Sequence, residues 1–191
     1  MTRGRLEAFS DGVIAILITI MVLELETPHG TDWLALREKA PVFAAYVVSF
    51  VYLGIYWNNH HHMFHLVQRI SGGILWANLH LLFWLSLIPF ATAWAGEHDF
   101  APLPTAVYGG VLFLSALAWL ILQTTIIADQ GPGSRLAEAV GNDAKGKVSA
   151  LLYASAIPLA FLNAWISCGL YVLVALLWLV PDRRFASRAS A

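Results

Sequence analysis

Long apolar stretches alternate with short polar punctuation along the whole chain. A helix that crosses a bilayer needs roughly 20 mostly apolar residues. On that measure the pattern predicts helices over residues 5–25, 40–63, 70–95 and 104–127. The last apolar block, 147–181, is too long for one span. Asn163-Ala164-Trp165 offers a tight turn inside it and divides it into helices over 147–163 and 165–181. Pro28, His29 and Gly30 end the first helix, and Pro41 suits the first turn of the second, where a missing N–H costs little. Pro89 and Pro158 fall inside the third and fifth helices and should kink them. The polar stretch from Asp129 to Lys147 reads as the longest loop. The expected fold is an all-α membrane protein with six transmembrane helices per subunit, one domain over 1–191.

Composition agrees with that pattern. Charged residues make up 12% of the 191 positions, half of what soluble domains carry (about 25%). The first helix is not a signal peptide: Glu24 and Glu26 end it, and no small-residue cleavage site follows. Charge also orients the spans. Nine Lys and Arg fall at the N-terminus, the 2–3 loop, the 4–5 loop and the C-terminal tail, whereas only Arg37 and Lys39 fall on the other side. The positive-inside rule then places both termini in the cytoplasm, which an even number of spans requires. The outer side carries Glu24, Glu26, Asp32, Glu38, Glu97 and Asp99. Such a surface either concentrates cations at an entrance or is simply where acids are free to sit. Cys168 stands alone and builds neither a disulfide nor a thiolate metal site.

Polar groups inside a membrane are expensive and need partners. Arg5, Ser10 and Asp11 open directly into the aliphatic run from Gly12 to Leu23, which has one hydroxyl, Thr19. On a helical wheel, Phe9, Gly12, Ile16, Ile20 and Leu23 share one stripe, with Arg5 at its end. Asp11 and Ser10 point well away from that stripe, so Asp11 should turn toward helices of its own subunit. The stripe is left for lipid, for packing or for a pore. Helix 2 ends in Tyr56-Trp57-Asn58-Asn59-His60-His61-His62, and helix 3 carries Trp76, Asn78 and His80. All lie level with Asp11, so one polar network can draw on three helices. Its simplest role is to lock helix 1 against helices 2 and 3. Trp33, Trp57, Trp94, Trp165 and Trp178 sit near helix ends as interfacial anchors; Trp76, Trp84 and Trp119 should pack between helices. His61 and His65, four apart, could face one ion, but no carboxylate or cysteine accompanies them, and no metal site is assigned. Nucleophile elbows, glycine-rich phosphate loops and His-Glu-x-x-His are missing, so the chain does not read as an enzyme.

These residues carry a resemblance. Arg5-x-x-x-Phe9-Ser10-Asp11 followed by Gly12-Val13-Ile14-Ala15-Ile16, then Ser49-Phe50, Trp57-x-Asn59-His60, Trp76-x-Asn78-Leu79 and Leu87-Ile88-Pro89-Phe90, resembles the transmembrane protein 175 family of lysosomal-type potassium channels and their prokaryotic relatives. The match covers residues 5–95; helices 4 to 6 agree in length and hydropathy only. The resemblance implies one six-helix repeat that assembles as a homotetramer, with a pore lined by helix 1 of four subunits and no re-entrant selectivity filter. It implies constriction rings at Ile16, Ile20 and Leu23, a potassium-favouring hydroxyl layer at Thr19, and a structural network of Arg5, Phe9, Ser10, Asp11, Trp57, Asn59, His60, Trp76 and Asn78. Glu24 and Glu26 would border an outer cation vestibule. The wheel adds that Ile16, Ile20 and Leu23 stack over roughly 10 Å on one face, which by symmetry gives apolar rings able to gate by dewetting.

The leading expectation is thus a potassium-selective or weakly selective cation channel of leak type in a prokaryotic plasma membrane. Its partners are lipid, potassium ions and three further copies; no cofactor and no nucleic acid are expected. A proton- or cation-coupled secondary transporter is the alternative, with Pro89 and Pro158 marking broken helices around a midplane site. A membrane metalloprotein built on the histidine cluster is the third.

Overall fold

The computed structural model describes residues 2–179. Arg183, Arg184 and Arg188, the basic tail in the charge argument, and the last turn expected of the sixth span lie outside them. The described residues form nine helices and no strand. Among the described residues four segments are long and apolar enough to cross a membrane: α1 (Arg3–Leu23), α3 (Ala40–His65), the broken span Gly72–Glu97, and α6 (Pro102–Gln130). The broken span consists of α4 (Gly72–Ser86) and α5 (Ile88–Glu97). Two further helices pack back to back: α8 (Ala144–Leu162), with Lys145 and Lys147 in its first turn, and the apolar α9 (Ala164–Leu179).

Each break has a local cause. Proline disfavours helical backbone in the residue before it and removes an N–H. Pro89 accordingly sits in the first turn of a new helix, where its missing N–H costs little, and α4 ends at Ser86 with Leu87 between the two. Pro158 behaves differently, because α8 continues through it. Next to it, the Ser167 hydroxyl of α9 donates to the Ala156 carbonyl at 2.7 Å and ties the two helices together. The Asn163 turn is closed by its own side chain, which accepts from the Trp165 amide at 3.0 Å. Two short elements escape the hydropathy pattern. Asp32 caps α2 (Trp33–Glu38) and Ser134 caps α7 (Arg135–Val140), each accepting from the amide three residues on. The stretch from Asp129 to Lys147 is therefore not one loop: α6 runs to Gln130, and α7 and the first turn of α8 fill most of the rest.

α6 sits at the centre, against α4, α5, α8 and α9; α1 lies at the edge, against α3, α4 and α5. The interior is stitched by hydroxyls. Ser49 of α3 hydrogen-bonds both Thr92 of α5 (2.6 Å) and Tyr108 of α6 (2.9 Å). Tyr52 donates to the Tyr171 carbonyl at 2.5 Å, and the Tyr171 hydroxyl donates to the Thr105 carbonyl at 3.1 Å. Two glycines allow close approach. A methyl at Gly96 would stand 2.7 Å from the Val42 Cα, and one at Gly109 would overlap the Tyr171 hydroxyl. Gly109→Ala should therefore displace a buried tyrosine, break its bond to Thr105, and cost about 1–3 kcal/mol. Thermal unfolding in detergent reads this as a lowered Tm; an unchanged Tm would show that Tyr171 has room to move.

Candidate functional site: the α1 face and its polar anchor

α1 has two distinct faces. Leu6, Ser10, Ile14, Leu17 and Met21 are buried against the rest of the subunit. Their spacing of four, four, three and four keeps them on one side. On the other side Arg5, Phe9, Gly12, Ile16, Thr19, Ile20 and Leu23 are all exposed. Ile16 is 57% and Leu23 79% exposed, while Ile14, two residues from Ile16, is 1% exposed. From Arg5 to Leu23 this open stripe runs roughly 27 Å, close to the hydrocarbon thickness of a bilayer.

The buried side is held by hydrogen bonds in its N-terminal half. Asn78 of α4 donates to the Ser10 hydroxyl at 3.0 Å, and its carbonyl oxygen meets His60 Nε2 of α3 at 2.8 Å. The Ser10 hydroxyl in turn donates to the Leu6 carbonyl at 2.9 Å. Ser10, His60 and Asn78 are all buried, and they join three helices in one chain of bonds. Asp11 makes a separate contact, accepting from Trp57 Nε1 at 3.0 Å. The structure thus brings together Ser10, Asp11, Trp57, His60 and Asn78.

The other residues expected in the network stand apart from it. Asn59 donates to the Ile55 carbonyl of its own helix at 2.8 Å, beside a cavity between α3, α6, α8 and α9. Phe9 and Arg5 lie on the open stripe, and Arg5 makes no ion pair among the described residues. Trp76, expected between helices, is 75% exposed on the subunit's outer surface. Its position two residues from Asn78 places it on the far side of α4. Trp119 is buried as its depth suggested.

Arg3 does what the sequence pattern assigned to no residue. It pairs with Glu7 at 3.5 Å and donates to the carbonyls of His65 (3.3 Å) and Val67 (3.5 Å), so α1 holds the end of α3. The signal was legible: Arg3 precedes Glu7 by four and Ser10 by seven, which puts it on the buried face. A second tie joins Arg69 to Asp129 (3.3 Å to the carboxylate) between the α3–α4 loop and α6.

At the opposite end, Glu24 caps α1 and is exposed. Glu26 pairs with Lys39 at 2.9 Å, and that hydrogen bond and charge hold its carboxyl below the usual carboxylate range. With Glu38, Glu97, Asp99 and His29, Glu26 lines one open recess. Among the described residues no group of three or more His, Cys, Asp or Glu is arranged to hold a metal ion.

A bundle of membrane-length helices, with one helix tied by its polar end and open along the other face, defines an integral membrane protein of the helical type. Comparison with known proteins makes this specific. The profile of a family described as endosomal/lysosomal potassium channel TMEM175 matches residues 5–89. A potassium channel from Chryseobacterium sp. (strain P1-3) is 54% identical over 184 residues, 96% of each chain. The crystal structure of a lysosomal potassium-selective channel TMEM175 homolog from Chamaesiphon minutus superposes with a TM-score of 0.82 at 29% identity, over 94% of this chain and 97% of that one. The Gallus gallus endosomal/lysosomal proton channel TMEM175 is 33% identical over 103 residues, 48% of this chain and 21% of its own length. The chain belongs to the TMEM175 family of ion channels, in its prokaryotic branch, and is not an enzyme.

Proposed function

We propose that this chain is a potassium-permeable cation channel of leak type, in which α1 of four identical subunits surrounds the ion path. The observation that carries the reading is the open stripe of α1. A helix buried on one side and bare on the other, from Arg5 at one end to Leu23 at the other, needs a partner or a solvent for that face. Lipid would accept Ile16, Ile20 and Leu23, and Arg5, in the first turn of α1, would reach the water interface, so the likeness to channel proteins favours a shared axis over lipid for this face. A four-fold axis gives all of them a role. The branched side chains of Ile16, Ile20 and Leu23 form successive apolar constrictions, and Arg5 faces the aqueous cytoplasmic mouth. We read the chain as one six-span domain in a plasma membrane, with α4 and α5 as one span, α8 and α9 as the last two, and both termini cytoplasmic.

Thr19 adds a chemical element. Its hydroxyl proton is engaged by the Ile16 carbonyl at 2.9 Å, and the side chain is exposed on the stripe. The remaining lone pairs of Oγ1 therefore face outward as an acceptor, suited to a cation and unsuited to an anion. Potassium sheds water more readily than sodium, so an oxygen ring beside a dry constriction favours potassium. Thr19→Val keeps the shape and removes that oxygen. Reversal potentials under opposed potassium and sodium gradients should shift toward equal permeability, and unchanged potentials would remove Thr19 from selectivity. The acids at the outer end act only as an attracting surface, Glu26 being already neutralised by Lys39.

The purified protein in planar bilayers tests the whole reading: stepwise single-channel currents that reverse near the potassium equilibrium potential support it. A saturable, slow, coupled flux without current steps would instead indicate a transporter.

A further inference from the structure

We propose that His61 and His65 form a binding site for a borderline transition-metal ion, such as Ni2+ or Zn2+, at the cytoplasmic end of α3, and that the ion restrains α1 through Trp57. The two histidines are one helical turn apart and both exposed. Their Nε2 atoms lie 3.1 Å from each other, with the rings near perpendicular at 4.5 Å between centroids. Two imidazoles bound at metal–nitrogen distances near 2.0–2.1 Å and 3.1 Å apart subtend about 100° at the ion. That angle lies between octahedral and tetrahedral geometry. The separation of the two nitrogens is thus that of a chelating pair, and imidazole nitrogen suits Zn, Cu and Ni, not Mg or Ca.

Without metal, one Nε2–H donates to the other ring's Nε2. On binding, that proton moves to Nδ1 of the same ring, both Nε2 lone pairs turn to the ion, and the charge of the pair is unchanged. Water completes the coordination. His62, whose ring meets His61 edge-on at 5.7 Å, takes no part in the pair. Among the described residues the cation bonded to this turn is Arg3, which touches the His65 backbone carbonyl and has its charge paired with Glu7.

The site has a route to the ion path. The His61 ring lies nearly parallel to Trp57, with 6.4 Å between centroids, and Trp57 donates to Asp11 of α1. An ion that fixes His61 against His65 stiffens the last turn of α3 and the indole that holds Asp11. The clamped α1 keeps its constriction narrow. Binding stands independently of the channel reading, whereas the effect on current rests on it.

The test uses tag-free full-length protein with Ni2+ as probe and Mg2+ as comparison. Ni2+ should raise the Tm of the parent and of His62→Ala. It should lose about tenfold or more in affinity with His61→Ala or His65→Ala, because a single imidazole cannot chelate, and Mg2+ should do nothing. In bilayers the same Ni2+ range should reduce potassium current in the parent and spare H61A. Equal Ni2+ binding by H61A and H65A would overturn the site. Binding that depends on both histidines but leaves a measurable current unchanged would overturn the restraint of α1. Absence of current in the parent, with binding intact, would count against the channel reading alone.

Discussion

Ile16→Asn should pass several-fold more potassium current than the parent protein in planar bilayers. Ile16 is the first large aliphatic side chain on the open stripe above Gly12, and it is 57% exposed, so the substitution removes little packing within the subunit. A ring of isoleucines repels water, and removing the apolar surface of even one such side chain from an aqueous path is worth about 1.5–3 kcal/mol. Four amides in the same ring keep a narrow path wet, so the barrier to a hydrated ion falls. A reduction of about 1.4 kcal/mol already gives tenfold in rate. Fold stability should change little, which separates this variant from Ile14→Asn. There the amide would be driven into a position 1% exposed, and the protein should unfold more easily with no gain in current. Equal currents from Ile16→Asn and the parent would take Ile16 out of the ion path.

The second large effect concerns the anchor. Asn78→Leu should lower stability by about 1–3 kcal/mol, read as a reduced Tm in detergent. Asn78 joins α1, α3 and α4 through Ser10 and His60. His60 is 1% exposed, and its Nδ1 has no partner among the described residues, so Asn78 supplies the bond its ring makes at Nε2. Ser10 suffers less, because it keeps its bond to the Leu6 carbonyl. The asymmetry gives a sharper check. Replacing both partners, as His60→Leu with Asn78→Leu, removes the orphaned group together with the bond. It should recover much of the loss. A double variant as unstable as the sum of the two single ones would show that packing, not hydrogen bonding, dominates at this site.

The long apolar runs made the membrane-length helices legible, because a span is specified by length and hydropathy alone. Pro89 marked the break between α4 and α5 for a reason that needs no tertiary information. The short capped helices α2 and α7 were not legible by hydropathy, since six residues are too few to show a period; Asp32 and Ser134 were the available signals. Within the polar network, position on the wheel proved more informative than residue type. Ser10, His60 and Asn78 face inward and meet, whereas Arg5 and Phe9 fall on the opposite side of α1. Asn59, one residue from His60, is rotated by about 100° toward α6 and α8 and bonds its own helix. Depth does not place Trp76: a tryptophan in mid-span can pack inward or stand on the subunit surface, and its angular offset from the buried Asn78 distinguishes the two. Arg3 precedes the apolar run and so escapes a hydropathy pattern, although its spacing to Glu7 and Ser10 sets it on the anchoring face.

Silver ions test the central claim most directly, being close to potassium in size and reactive with thiols. In a Cys168→Ala background, Ile16→Cys carries the sole thiol, on the bare side of α1. Silver applied to open bilayer channels should then abolish the potassium current of I16C and leave the C168A parent conducting. Full labelling of I16C, shown by mass spectrometry, with the current intact would mean that ions travel elsewhere.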